Sequence, residues 1–474
     1  MSTHSRRSFL AAFAALAAAP ALGAVPASGE VEVVIVGAGA AGIAAARRIA
    51  AAKRRFALLE AGSVIGGRCV TDNKIFGVPY DLGAHWIHNP DRNPVSKLAP
   101  KTGLDVYPAP RGQTVRIGPR NARDAELENF LSLLVRSHRA IADAGRANSD
   151  VAAAALPRDL GDWQATIEFV LGPYSCGKDL GAVSAADLAR AGERDADAFC
   201  RQGYGALLAQ LAADLPVRLA TPVRRIEWDR RGVDVETPKG LLRAHTVIVT
   251  ASTNVLASEK IEFRPELGKR QLDAAAKLSL GSFDHIALDL PGNPLGLQRD
   301  DVVFEQSRGA RTAALLANVS GTSLHLVEIA GDFGRELAGN GRVAMIDFAG
   351  DWLAAMFGSE IKRAIERSHT TRWNNEPWVL GAMSAASPGS ADARKILMEP
   401  VGGRIWFAGE AVHETEWGTV AGAWDSGTRA AEAALRQMGV LKEPEEEERA
   451  RVRTREQRAP RRSRRNRRRR SDDE

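Results

Sequence analysis

VEVVIVGAGAAGIAAARRIAAA, residues 31–52, is the stretch on which the fold turns. An apolar run ends at Val36, three glycines follow within six residues, and an alanine-rich segment comes next. That order predicts a strand, a tight turn and a helix. Gly37, Gly39 and Gly42 therefore form G-x-G-x-x-G in the context that gives the motif meaning. Gly37 permits the turn, Gly39 lets the backbone approach a pyrophosphate, and Gly42 lets helix and strand pack closely. The helix N-terminus offers free N–H groups and a positive dipole end to phosphates. RFALLE (55–60) reads as a second strand ending in Glu60, 21 residues after Gly39, where a carboxylate can accept both ribose hydroxyls. These features define a dinucleotide site and leave NAD and FAD both open.

The next residues separate the two. In AGSVIGGRCVT (61–71), Gly66, Gly67 and Arg68 follow the second strand directly. A second glycine turn followed by arginine resembles the FAD-binding G-G-R of the flavin-containing amine oxidase family. By that resemblance Gly67 and Arg68 stand near the pyrophosphate end of the cofactor, where a planar cation suits phosphate oxygens. DLGAHWIHN (81–89), with Asn93–Pro94 soon after, is similar to the flavin-side segment of polyamine and spermine oxidases. It implies cofactor contacts from Gly83, Ala84, His85 and Trp86.

The resemblance covers most of residues 31–436. TPVRRIEWDRRGVDVETPKG (221–240) with HTVIVTAS (245–252) resembles the family's middle FAD segment, in which the backbone of Val223 would meet the adenine. GGRIWFAGEAVHETEWGTVAGAWDSGTRAAEAAL (402–435) resembles its C-terminal signature. This implies that Gly409 and Glu410 meet the ribityl chain. Thr419 and Val420 would then present a helix N-terminus to the flavin's C2 oxygen, the end that gains negative charge on reduction. The implied fold is α/β: a Rossmann-like FAD-binding domain with an interleaved α+β substrate domain. Residues 30–90, 200–258 and 396–440 would form the first, and 91–199 with 259–395 the second. AELENFLSLLVRSHRAIADAG (125–145) has a helical pattern that suits the latter.

LGSFDHIALDL (280–290) carries a departure from the family. After Gly281 the residues alternate as a strand, with Ile286, Leu288 and Leu290 on one face and His285, Ala287 and Asp289 on the other. The family's lysine, four residues past this glycine, faces flavin N5 and holds a water there. Here that position is His285, whereas Lys277 precedes the glycine and would sit elsewhere. A neutral imidazole can hold a water as an amine does, and it ordinarily titrates near neutral pH. EPWVLGAMSAASPG (376–389) has Gly381 where monoamine oxidases link flavin through a cysteine, so FAD is expected to be non-covalent. Thr419 replaces the second tyrosine of their aromatic cage. Trp373, Trp417 and Trp86 are the candidate walls of the pocket, and His88 is the candidate contact for a second amine.

The implied reaction oxidises a primary or secondary amine, polyamine-like or monoamine. Hydride leaves the carbon beside a neutral nitrogen for flavin N5, the imine hydrolyses, and O2 or another acceptor, such as a periplasmic quinone or cytochrome, takes the electrons. Three other readings stay open. An amino-acid oxidase would need a buried arginine, for which Arg311 and Arg372 are candidates. A flavin desaturase and an FAD-bearing binding protein without turnover are the others.

The two ends differ from the body. SRRSFLAAFAALAAAPALGA (5–24) places Arg6 and Arg7 before an apolar run too short to span a bilayer. It matches a twin-arginine export signal, so residues 1–29 are expected to be a removed signal peptide, read by the twin-arginine translocation machinery, and the protein periplasmic or secreted. Residues 441–474 hold 14 Lys and Arg against 9 Asp and Glu, with almost nothing apolar, which predicts a disordered charged tail. These ends carry the chain's net charge of +6, and residues 25–440 retain about −1. A nearly neutral body argues against specific nucleic-acid binding. The three cysteines (Cys69, Cys176 and Cys200) are widely spaced, so neither a disulfide framework nor a metal site is expected.

Overall fold

A five-stranded parallel sheet carries the dinucleotide motif, in the order Val217–Arg218, Phe56–Leu59, Val33–Val36, Thr246–Val249, Ile405–Phe407. In this computed structural model residues 29–147, 150–154, 156–192 and 196–442 are described. The twin-arginine segment and nearly all of the charged tail lie outside them. The strands Val33–Val36 and Phe56–Leu59 are buried throughout, which is why they read as unbroken apolar runs rather than alternating ones. Helix Ala40–Ala51 crosses the sheet and packs against the last helix, Val420–Gln437, through Ala41, Ala45, Ala430, Ala431 and Ala434. Small side chains let the two helices approach closely over the sheet.

The second large sheet has seven strands. Its order is Arg367–Thr370, Phe283–Asp289, Leu324–Ala330, Ala314–Leu316, Val302–Glu305, Thr114–Ile117, Arg120–Asn121. Strand alternation divides its two faces. Ile286, Leu288, Val327 and Ile329 pack on helices Gly331–Gly339 and Arg342–Phe357 through Phe333, Leu337, Met345 and Leu353. Residues one position away, including Ala287, Leu326 and Leu316, turn to the opposite side. The expected helical segment is present as Asp124–Arg146.

Pairing crosses the sequence-based domain limits at two points. Strand Glu262–Arg264 joins Arg225–Trp228 in parallel, and the core that lies on the dinucleotide side continues through Leu267 to Leu278. Ile87–His88 pairs with Asp197–Cys200, which in turn pairs with Val106–Pro108. Both excursions are non-local sheet contacts that local patterning does not report.

Candidate active site

One cavity of about 1060 Å³ runs from the glycine turn to the inner face of the seven-stranded sheet. At its first end the turn glycines have distinct reasons for lacking side chains. Gly37 has φ of +99°, and a Cβ on Gly42 would stand 1.8 Å from the Gly37 carbonyl oxygen, so that helix could not seat against the turn. A Cβ on Gly39 would meet no protein atom closer than 3.7 Å; its bareness keeps space in the cleft it lines. Glu60 accepts from Ala38 N at 2.8 Å with one oxygen and from Gly62 N at 2.7 Å with the other. Each oxygen keeps lone-pair capacity for a hydroxyl, and the two backbone donors fix the carboxylate in place. Gly67 and Val223 line the same cleft.

The middle of the cavity is walled by Gly83, Ala84, Trp86, Trp373, Gly409 and Thr419. Trp373 is fixed from two sides: its Nε1 donates to the Leu82 carbonyl at 3.0 Å and its backbone N to Asp284 at 2.8 Å. Burial pushes the Asp284 carboxyl up to about 7, against the hydrogen bonds from Trp373 and Thr371. Thr419 caps the last helix by accepting from Gly422 N at 2.9 Å, so the helix N-terminus with Val420 opens on the cavity. Its positive end suits the developing charge of a bound ring system.

Two residues of the cofactor set also bond to each other. Arg68, which the resemblance puts beside phosphate, donates from Nη1 to Glu410 at 2.7 Å and to the Ala382 carbonyl. Glu410 was expected to serve the ribityl chain, but its carboxylate also accepts from Ser384 Oγ at 2.7 Å and Gly418 N at 2.9 Å. Burial would raise the Glu410 pKa, yet Arg68, Arg394 and Ser384 outweigh it and hold the carboxyl below its ordinary range. Both residues still border the cavity.

Trp417 is a correction. It is 3% exposed, packs with Ile141 and Ala385, and does not reach the cavity. The Arg394 guanidinium lies 4.6 Å over its ring, and Arg394 itself makes a two-pronged pair with buried Asp187 at 2.8 and 2.7 Å. The ring there covers a buried charge pair.

The inner end holds the polar chemistry. His285 lines the cavity as its strand face predicts, but it is 2% exposed. Its Nδ1 lies 3.1 Å from the Asp81 carbonyl, and its Nε2 lies 3.6 Å from Glu328 Oε1. Burial, reinforced by His85, lowers its pKa to about 4, so the expected titration near neutral pH does not hold. Glu328 sits directly across the sheet from His285 and is 1% exposed, with neither carboxylate oxygen hydrogen-bonded. Burial pushes it up to about 7, with His85 and Tyr174 opposing the rise. His85 is held by Asp81 at 2.8 Å and stacks on Phe199, while the Asp81 carboxylate also accepts from Tyr204 N. His88 pairs with Asp197 at 2.6 Å elsewhere on the cavity wall. Glu328, Asp81 and Tyr174 were not singled out from sequence. For Glu328 a signal existed: it is the one acid in LHLVEIA (324–330), a strand buried along its whole length.

Of the arginines weighed for a carboxylate substrate, Arg311 lies over the Phe333 ring away from the cavity, and Arg372 borders it as an exposed residue. Among the described residues no three His, Cys, Asp or Glu side chains converge to hold a metal ion.

A parallel dinucleotide-type sheet, an Ala-rich crossing helix and one cavity that joins both sheets define the amine oxidase fold. The chain belongs to the flavin-containing amine oxidoreductase family, whose model matches residues 40–435. It is 26% identical over 447 residues to lysine-specific histone demethylase 1B of Mus musculus, covering 84% of this chain and 52% of that protein. It is also 26% identical over 438 residues to probable polyamine oxidase 4 of Arabidopsis thaliana, covering 85% and 87%. The chain thus spans about half the length of the histone demethylases it matches. Cyclohexylamine oxidase from Brevibacterium oxydans IH-35A superposes with a TM-score of 0.73 at 22% identity, over 87% of this chain and all of that one. Putrescine oxidase bound to putrescine does so at 0.73 and 20%, over 86% of this chain and all of that one. The cofactor is FAD, and the cleft fits it: Glu60 is poised for ribose hydroxyls and Gly39 leaves room for the pyrophosphate.

Proposed function

We propose that this protein is an FAD-dependent amine oxidase acting on a primary or secondary amine with an apolar carbon body. One observation carries the reading: the dinucleotide cleft opens, within a single cavity, onto a chamber with apolar walls and a buried acid, Glu328, whose charge no arginine neutralises as Arg68 does that of Glu410. Val170, Phe283 and Phe304 supply apolar wall, and Glu328 with His285 supplies the polar end. Bound FAD supplies a two-electron acceptor for hydride from the carbon next to nitrogen. The chain's own residues supply position: Trp373 and Trp86 confine the amine, the sheet excludes water, and His285 stands neutral on the wall. The His88–Asp197 pair offers a second polar station for a diamine or polyamine.

Two further features support non-covalent FAD and an amine without a carboxylate. Gly381 has φ of +147°, and a Cβ there would stand 2.5 Å from Leu280 Cβ, so a linking cysteine has no room. Arg68, the part-buried arginine on the cavity wall, is already paired with Glu410. The test is anaerobic addition of monoamines, diamines and amino acids to the purified yellow protein. Bleaching by amines and not by amino acids is expected. Bleaching by amino acids alone would refute the substrate class, and bleaching by none would refute the enzyme reading.

Electrons then pass to O2, giving hydrogen peroxide, or to a periplasmic quinone or cytochrome. Arg6 and Arg7 support export of the folded, FAD-loaded protein by the twin-arginine machinery to the periplasm or beyond. Replacing both with lysine should hold active protein in the cytoplasm; undiminished delivery would refute that route.

A further inference from the structure

The inner end of the cavity contains a pair of groups that together can hold one proton. The Asp81 carbonyl only accepts, so its contact with His285 Nδ1 at 3.1 Å places the imidazole proton on Nδ1. Nε2 is then a bare lone pair, and it faces Glu328 Oε1 at 3.6 Å. The antiparallel register sets His285 and Glu328 directly opposite on the same face of the sheet. Both Glu328 oxygens are buried without a hydrogen bond, on the wall of the cavity where substrate would lie. An unpaired buried carboxylate has a large desolvation cost, and such a group persists where something else satisfies it.

We propose that Glu328 accepts the proton that a substrate ammonium must lose before its C–H bond is oxidised, with His285 Nε2 as the partner that shares it. This deepens the amine oxidase reading and rests on it. The step balances without a further reactant. The ammonium N–H bond breaks and its electron pair stays on nitrogen; an O–H bond forms on Glu328. One positive and one negative charge vanish together, which a buried, low-dielectric chamber favours. An amine could thus enter as the ammonium ion that predominates in water and react as the free base.

The surrounding groups agree with this assignment. Across the sheet on the other side stands Ala314, which does not titrate. The charge of His85, held by Asp81 on the facing segment, and the Tyr174 hydroxyl, a donor beside the carboxylate, both oppose the rise that burial imposes on Glu328. With Glu328 raised to about 7 and His285 lowered to about 4, the pair takes up a proton at the carboxyl near neutral pH.

The experiment compares wild type, Glu328→Gln and Glu328→Asp as FAD-loaded proteins, with cyclohexylamine and benzylamine as probes. FAD content is expected to be equal in all three. In wild type, anaerobic flavin reduction should fall below pH about 7, as the acceptor is already protonated. In Glu328→Gln that limb should move toward the ionisation of the amine itself, about 10 for an alkylamine, lowering the rate at pH 7.5 on the order of 100-fold. Glu328→Asp should keep the limb near its wild-type position while slowing reduction throughout. Independently of turnover, an infrared carboxyl band titrating near pH 7 should be present in wild type and lost in Glu328→Gln, leaving the contribution of Asp284. An unmoved limb in Glu328→Gln, or no band lost, would overturn the acceptor role alone. Failure of every amine to reduce wild-type flavin would overturn the proposed function and the acceptor role with it. Should Glu328→Gln fail to fold, the Glu328→Asp limb decides: a shift away from wild type overturns the proposal.

Discussion

Glu328→Gln should stabilise the protein far more at pH 8 than at pH 5. Burial lifts the Glu328 pKa from 4.5 to about 7 in the folded state. Below 4.5 the carboxyl is protonated folded and unfolded, and it carries no penalty. As pH rises from 4.5, the unfolded chain releases this proton and the folded chain keeps it, so stability declines until pH passes about 7. A gap of roughly 2.5 units at 1.36 kcal/mol each sets the full loss at about 3 kcal/mol. Glutamine has the same shape and never ionises, so the variant escapes that loss. Asp284 shifts in the same direction, and His285, lowered from 6.5 to about 4, costs stability as pH falls between those values. Both groups remain in the variant, so the difference between the two proteins isolates Glu328. The assay is urea unfolding followed by tryptophan fluorescence at pH 5.0 and 8.0, with saturating FAD so that ligand stabilisation is matched. A gain of the same size at both pH values, or none at pH 8, would refute the reasoning.

Three further outcomes follow from the site. His285→Lys should accelerate O2 reoxidation of the photoreduced protein, because it adds a positive charge that wild type acquires only below pH about 4; wild-type reoxidation should be flat from pH 5.5 to 8.5, checked by stopped flow. Glu60→Ala should weaken FAD retention by about 1.5–3 kcal/mol, on the order of 10- to 100-fold in Kd, since it removes charged hydrogen bonds that also tie Ala38 to Gly62; equilibrium dialysis with unchanged affinity would count against the cofactor cleft. Asp187→Asn should cost about 3–5 kcal/mol in denaturant unfolding by stranding the Arg394 charge beside Trp417, and a loss under 1 kcal/mol would contradict that account.

The dinucleotide half was legible in the chain itself. Strand, Gly37 turn, helix and Glu60 lie within about thirty consecutive residues, and each follows from local sterics, helix electrostatics and a fixed reach. The alternation in LGSFDHIALDL likewise placed His285 on the face away from Ile286 and Leu288, because strand geometry has period two wherever the strand lies. What His285 faces was another matter. Glu328 is 43 residues further on, and only the antiparallel register sets it opposite; burial then moves both pKa values, and burial is a property of the whole assembly. Arg68 and Glu410 are 342 residues apart, so neither motif announces that each neutralises the other. Trp417 sits within one residue of the Gly418 turn at the cavity, yet it points into the core, since Arg394 and Asp187 arrive from distant helices to form a charge pair that needs covering. Local chemistry determined where a cofactor could be held; the packing of remote segments decided which charges stand in the chamber beside it.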